Sequence, residues 1–75
     1  MAVFSYDTYL RVNAAQRLMA LTQRENQIYK TEAYRRCGHG LTEQQFDEVV
    51  QGLVKDGWCT ATPGLRGAVV LTYIY

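Results

Sequence analysis

The chain has 75 residues, of which 48% are hydrophobic and 20% are charged, and its formal net charge is +1. This composition predicts a chain that folds, as one small domain of residues 1–75 whose core is close to the smallest that suffices. The near-neutral net charge excludes a strongly basic surface overall. For nucleic-acid binding, however, a local basic patch matters more than the total charge.

Membrane insertion and secretion are not expected either. No apolar run approaches the roughly 18 residues of a membrane span, and the N-terminus has no basic region followed by an apolar block. Two cysteines, Cys37 and Cys59, are too few for a disulfide framework. We therefore expect a cytoplasmic protein with reduced thiols.

The first predicted helix extends from Tyr6 to about Gln23, after Ser5 as its N-cap. It has no Gly or Pro and is rich in good helix formers. One apolar stripe usually suffices for a small core. The second stripe is therefore either buried in its own domain or packed on a partner subunit. The two stripes are Leu10, Ala14, Leu18 and Leu21, and beside them Val12, Ala15 and Met19.

The next segments are short. Thr22 to Asn26 is polar and predicts a connection, and Ile28-Tyr29 predicts a brief strand. Thr31 can cap a second helix from Glu32 to Cys37. One continuous helix over residues 6–37 is the second choice, because the interruption is polar and β-prone.

The strongest helix signal covers residues 42–56, after a break at Gly38-His39-Gly40. Thr42 is a good N-cap, and Gln45 completes a capping box with it. Gly57 can end the helix in the left-handed conformation. The apolar residues recur with helical spacing in one stripe, formed by Phe46, Val49, Val50, Leu53 and Val54.

The last part of the chain predicts a β-hairpin. Residues 58–62 are β-prone, Pro63-Gly64 is a turn signal, and Ala68 to Tyr75 is strongly β-prone. The loop between the strands covers residues 63–67. The predicted order is therefore α-β-α-α-β-β, an α+β fold.

This order resembles the winged helix-turn-helix family over nearly the whole chain. Leu53-Val54-Lys55-Asp56-Gly57-Trp58 match the exit of the third helix through Gly into the first wing strand, and Thr31-Glu32-Ala33 fit the start of the second helix. The resemblance implies a small winged helix-turn-helix domain with three helices and a C-terminal β-hairpin wing. The segment Cys37-Gly38-His39-Gly40-Leu41 departs from it, because this turn is longer and richer in Gly than the family's.

The resemblance also implies a dimeric transcriptional regulator that binds double-stranded DNA, with helix 42–56 in the major groove and wing 63–67 on the backbone. Gln can pair with adenine, and basic side chains can bind phosphates. The carboxylates of Glu43, Asp47 and Glu48 count against this function because they repel phosphates. The candidate DNA-binding residues are Gln44, Gln45, Glu48, Gln51 and Lys55 on the third helix, with Lys30, Arg35, Arg36 and Arg66 elsewhere.

The alternative function is a protein–protein interaction module or adaptor without DNA binding. It would use the acidic third helix and the second apolar stripe of the first helix. The regulator is expected to be a homodimer, and the interaction module to self-associate or to bind a partner. The last strand ends without charge and needs cover, which a homodimer would provide. Gly52, an exposed helical Gly, indicates either close approach of another backbone or drift. The candidate dimer interface consists of Val12, Ala15, Met19, Tyr73 and Tyr75.

Signals for catalysis or metal binding are weak. His39 could join Cys37 and Cys59, but a structural zinc site needs four ligands with paired spacing. Nothing orients His39 as a base for Cys37, and no glycine-rich phosphate loop follows a strand. We expect neither an enzyme nor a bound metal or cofactor.

Overall fold

The computed structural model describes residues 6–74. It confirms the predicted α+β order, and three helices with a three-stranded antiparallel sheet are compatible with a winged helix. A short turn, Leu65–Gly67, lies in the loop between the last two strands, with Arg66 in the left-handed conformation. The elements are α1 (Tyr6–Glu25), β1 (Gln27–Tyr29), α2 (Lys30–Cys37), α3 (Glu43–Lys55), β2 (Cys59–Pro63) and β3 (Val69–Tyr73).

The first helix extends further than predicted, to Glu25. Asn26 follows with a φ of 71° and donates its N–H to the carbonyl of Thr22 at 2.8 Å. Asn tolerates this left-handed conformation, so it ends the helix as Gly often does. The connection predicted from Thr22 onward is therefore wrong, because Thr22 is buried within α1 and its hydroxyl hydrogen-bonds to the preceding turn. The predicted N-cap Ser5 lies outside the described residues.

The second helix begins earlier than predicted. It starts at Lys30, directly after β1, with the extended residue Tyr29 as its N-cap and no capping hydrogen bond from that side chain. Thr31 therefore lies inside the helix, and its predicted capping role is wrong. The strand leads into the helix without a connection, so no separate capping residue stands between them.

The third helix is capped at both ends as predicted. The Thr42 hydroxyl accepts the Gln45 N–H at 3.2 Å, and the Gln45 side-chain oxygen accepts the Thr42 N–H at 2.9 Å. At the other end, Gly57 has a φ of 83°. The Trp58 N–H donates to the Leu53 carbonyl at 3.0 Å, which completes a Schellman motif.

The sheet has β3 at its centre, in the order β1-β3-β2. Leu71 of β3 pairs with Ile28 on one side and with Ala61 on the other. The short Ile28-Tyr29 strand therefore joins the hairpin. Trp58, which was predicted to open the first hairpin strand, precedes β2, although its carbonyl still accepts the Ile74 N–H at 3.0 Å.

A continuous core joins all three helices to the sheet. The largest fully buried side chains are Phe46, Leu18, Leu71 and Cys59. Within residues 6–74, no helix has the length and apolar character needed to cross a membrane. The buried hydrophobic residues are Ala14, Leu18, Leu21, Ile28, Ala33, Cys37, Leu41, Phe46, Val50, Leu53, Cys59 and Leu71.

The second apolar stripe of α1 divides between core and surface. Ala15 and Met19 are partly buried and pack against the core. For these two residues the stripe is therefore buried in its own domain, which was the first of the two interpretations above. Val12 is 46% exposed. The stripe is therefore not a free apolar face.

Two glycines in and after α3 form a matched pair for a stability test. A Cβ atom at Gly52 or at Gly57 would meet no atom within 4 Å, but only Gly57 has a positive φ. We expect Gly52→Ala to raise the free energy of unfolding by about 0.5–1 kcal/mol, because Gly is unfavourable inside a helix. Gly57→Ala should lower it by about 1–2 kcal/mol, because an L-residue is strained there.

Urea denaturation followed by circular dichroism measures both changes. A loss of stability in Gly52→Ala would show that something closely approaches this position in solution.

Candidate nucleic-acid interface

The outer surface of α3 lies opposite its buried stripe of Phe46, Val50 and Leu53. The caps at both ends and this stripe together fix the rotation of the helix. We use the name "outer surface" for the exposed residues Glu43, Gln44, Glu48, Gln51, Gly52 and Lys55.

One side of this surface is held by α1. The Arg11 guanidinium donates to Glu48 on α3 at 2.5 Å and to Asp7 on its own helix at 2.9 Å. These two hydrogen bonds, with Glu48 the stronger influence, raise the pKa of Arg11 above its ordinary value. The single positive charge of Arg11 is shared between Glu48 and Asp7, so it offsets the negative charge of Glu48 only in part.

The other side is held by α2. The Lys30 ammonium at the start of that helix forms an ion pair with Asp47 on α3. Surface pairs of this kind contribute little to stability, but they decide the local charge. Two of the three carboxylates that count against DNA binding are thus paired with cations. Among the described residues, Glu43 has no ion-pair partner.

Gln45, predicted as an exposed base-reading residue, is used within the chain. Its side-chain oxygen caps the Thr42 N–H, and its side-chain nitrogen donates to Asp7 of α1 at 3.1 Å. Gln45 and Glu48 therefore both face α1. Either could reach DNA only by giving up an intramolecular contact, so neither is a free base-reading group.

The other predicted DNA-binding residues of α3 line two grooves, and Lys30 lines both of them. Gln51 and Lys55 line a groove of about 460 Å³ between α3 and the sheet. Gln44 lines the groove between α2 and α3. Lys30 borders both grooves, so these four side chains belong to one continuous surface.

Thr31 also lines the groove between α2 and α3 and is exposed. We did not predict it as a site residue, because we interpreted it as a cap. In the sequence, the position of Thr31 beside Lys30 near the start of the second helix could have identified it as a site residue. A hydroxyl here can donate to a phosphate oxygen.

Arg66 lies at the tip of the wing. It is exposed, has a φ of 58°, and has no ion-pair partner within residues 6–74. Backbone hydrogen bonds hold the tip, including one from the Ala68 N–H to the Leu65 carbonyl at 3.1 Å. The guanidinium is thus presented to solvent from an ordered loop.

Arg35 and Arg36 do not form one surface with Lys30. Both lie near Glu32, at 3.6 Å and 3.1 Å respectively. Arg36 lines a groove between α1 and α2 and none of the grooves along α3. Arg36 lies on the second helix as predicted, and its role in DNA binding stays a prediction.

The predicted dimer residues differ in how exposed they are. Of the four that are described, only Val12 is exposed. Ala15 and Met19 pack on the core, and the Tyr73 hydroxyl accepts a hydrogen bond from Gln23 at 3.3 Å. Tyr75 lies outside the described residues. Dimer formation stays a prediction.

The two cysteines are buried free thiols. Burial raises the pKa of both, and the positive charges of Arg17 and Arg36 partly offset this effect on the pKa of Cys37. In the part of the chain that the structure describes, no three His, Cys, Asp or Glu side chains are placed to hold a metal ion. His39 is exposed in its turn.

Comparison with known proteins finds no protein-family model that matches the chain and no curated protein significantly similar to it.

The buried thiols lead to a prediction about reactivity. At neutral pH, both cysteines of the folded protein should react with Ellman's reagent at least about tenfold more slowly than in the urea-unfolded chain, because little thiolate is present and access is limited. The rates should rise as the pH approaches the raised pKa values.

Single Cys37→Ala and Cys59→Ala variants assign each rate to its residue. Rapid labelling at neutral pH would contradict the buried positions.

Proposed function

We propose that this protein is a small cytoplasmic winged-helix protein that binds double-stranded DNA through the outer surface of α3, the start of α2 and the wing tip. The carrying observation is the pairing of Glu48 with Arg11 and of Asp47 with Lys30. These pairs reduce the repulsion between α3 and phosphates, which was the main objection to DNA binding.

The spacing of the two free glutamines suits base reading. Gln44 and Gln51 are seven residues apart, so they lie about 10.5 Å apart along the helix axis on nearly the same side. That distance spans roughly three base pairs. Each side-chain amide can form a bidentate pair with adenine in the major groove.

Basic side chains around the glutamines supply the phosphate contacts. Lys55 is at the end of α3 and Arg66 is on the wing. Lys30, at the start of α2, would have to give up its ion pair with Asp47 to contact a phosphate. Phosphate contacts position a helix on the duplex without reading its sequence. A homodimer acting in transcription, with a palindromic site, is the proposed biological form.

A protein-binding role without DNA is the second candidate, and the outer face of the sheet favours it. This face carries Tyr29, Val70 and Thr62 in one row across the strands, and Gln27, Thr72 and Thr60 in the next. None of these side chains is charged, and Tyr29 is 48% exposed. The centres of protein interfaces are depleted of charged residues, so this uncharged face is compatible with a protein partner.

Titration of a fluorescent random-sequence duplex with the protein at low and moderate salt tests the proposal. We expect a dissociation constant of about 1–100 µM near physiological salt, weakening as salt rises. Lys55→Ala and Arg66→Ala should each weaken binding and lower the salt slope by about one. Arg24→Ala removes the same charge far along α1 and should have little effect.

Light scattering on the same samples gives the mass of the species. Absence of binding even at low salt, together with a dimer or larger species, would refute the DNA proposal and favour the protein-binding role.

Glu43 provides a second test with the opposite sign. Glu43→Gln removes the carboxylate on α3 that has no ion-pair partner in the described part of the chain, so we expect DNA affinity to rise about two- to threefold at low salt. Glu25→Gln, at the far end of α1, is the control that changes net charge equally. Equal effects of both variants in the duplex titration would show that only net charge matters.

A further inference from the structure

A second basic surface lies between α1 and α2. It is a groove of about 250 Å³ that shares no lining residue with the grooves beside α3. We call it the arginine groove. It is lined by Arg17, Ala20, Leu21, Arg24, Arg36 and Cys37.

The α1 side of the arginine groove follows helical spacing. Arg17, Leu21 and Arg24 recur at i, i+4 and i+7, so they lie on one stripe of the helix. The two arginines are about 10.5 Å apart along the axis. Leu21 is buried between them, while Ala20 is exposed beside it. The groove therefore has a small apolar floor with a cation at each end.

Positive charge predominates in this groove. Arg36 contributes a third guanidinium from α2, and its side chain is 48% exposed although Glu32 lies 3.1 Å away. Within residues 6–74, the ion-pair partner of Arg24 is its neighbour Glu25, at 3.6 Å. Arg17 has no carboxylate within ion-pair distance in the described range 6–74. Burial raises the pKa of the Cys37 thiol beneath the groove, and the positive charges of Arg17 and Arg36 partly offset that rise.

We propose that the arginine groove binds an acidic amphipathic helix of a partner protein. Guanidinium groups bind carboxylates with two parallel hydrogen bonds, which gives both affinity and geometric selectivity. Glutamates seven residues apart on the partner helix would reproduce the spacing of Arg17 and Arg24. A small apolar side chain between those glutamates would contact Ala20 and Leu21.

The apolar floor favours a protein helix over a nucleic acid. A nucleic-acid strand carries a phosphate at every nucleotide, so its backbone would bring charge close to Ala20 and Leu21. An amphipathic helix has both kinds of group at the required spacing. Because the groove is separate from the outer surface of α3, its occupant would leave that surface accessible.

A designed peptide tests this inference without depending on DNA binding. The probe is a fluorescent helical peptide of about 15 residues, with glutamates at i and i+7 and small apolar residues between them. The matched peptide has the same composition with its glutamates on the opposite face. We expect the first peptide to bind, and the second to bind at least about tenfold more weakly.

Variants assign the binding to the groove. Arg17→Ala and Arg24→Ala together should weaken peptide binding at least about tenfold, while Arg17→Lys with Arg24→Lys should cause a smaller loss because Lys cannot form the paired hydrogen bonds. Arg35→Ala is the control, since Arg35 lies on α2 outside the groove and is 78% exposed. It should change the dissociation constant less than about twofold. Circular dichroism confirms that each variant is folded.

Three results would overturn the proposal. Equal binding of both peptides would show attraction by net charge alone. Absence of binding by the first peptide would show that the groove is not a helix site. Tighter binding of duplex or single-stranded DNA with the same dependence on Arg17 and Arg24 would assign the groove to nucleic acid.

Discussion

The fixed rotation of α3 about its own axis is the constraint on which the rest of the structure depends. Burial of Phe46 and Leu53 against α1 and the sheet determines which side of the helix faces inward. The capping box at Thr42 and the left-handed Gly57 determine where the helix begins and ends. With both ends and one face determined, each remaining side chain has a defined direction. The grooves on either side of α3 and its ion pairs follow from that rotation.

Carboxylates on α3 form ion pairs with basic side chains on the neighbouring helices. A formal net charge of +1 suggests a surface on which neither positive nor negative charge predominates. Ion pairs from α1 and α2 offset the charge of Asp47 and part of the charge of Glu48 on α3. These exposed pairs add little to the free energy of folding, because solvent screens them. Their effect is on recognition, since they decide which charges a ligand meets along α3.

Two surfaces of different chemistry result from the same three helices. The surface along α3 combines the amides of Gln44 and Gln51 with the amine of Lys55, groups that can contact base edges and phosphates. The arginine groove combines guanidinium groups with an apolar floor, a combination that suits an acidic helix. The two proposed sites share no lining residue on a 75-residue chain, so the two proposed ligands would not compete for the same side chains.

The sequence by itself determined the order of the elements and both ends of α3, because capping and left-handed glycine are local effects of neighbouring residues. It did not reveal the end of α1 at Asn26, since Asn signals a helix end less strongly than Gly. Only the tertiary structure decided the roles of Gln45 and Arg36. Gln45 donates to a carboxylate 38 positions earlier in the chain, and Arg36 faces α1 instead of α3. Periodicity within one element cannot predict such partners, because they depend on how the helices pack against one another.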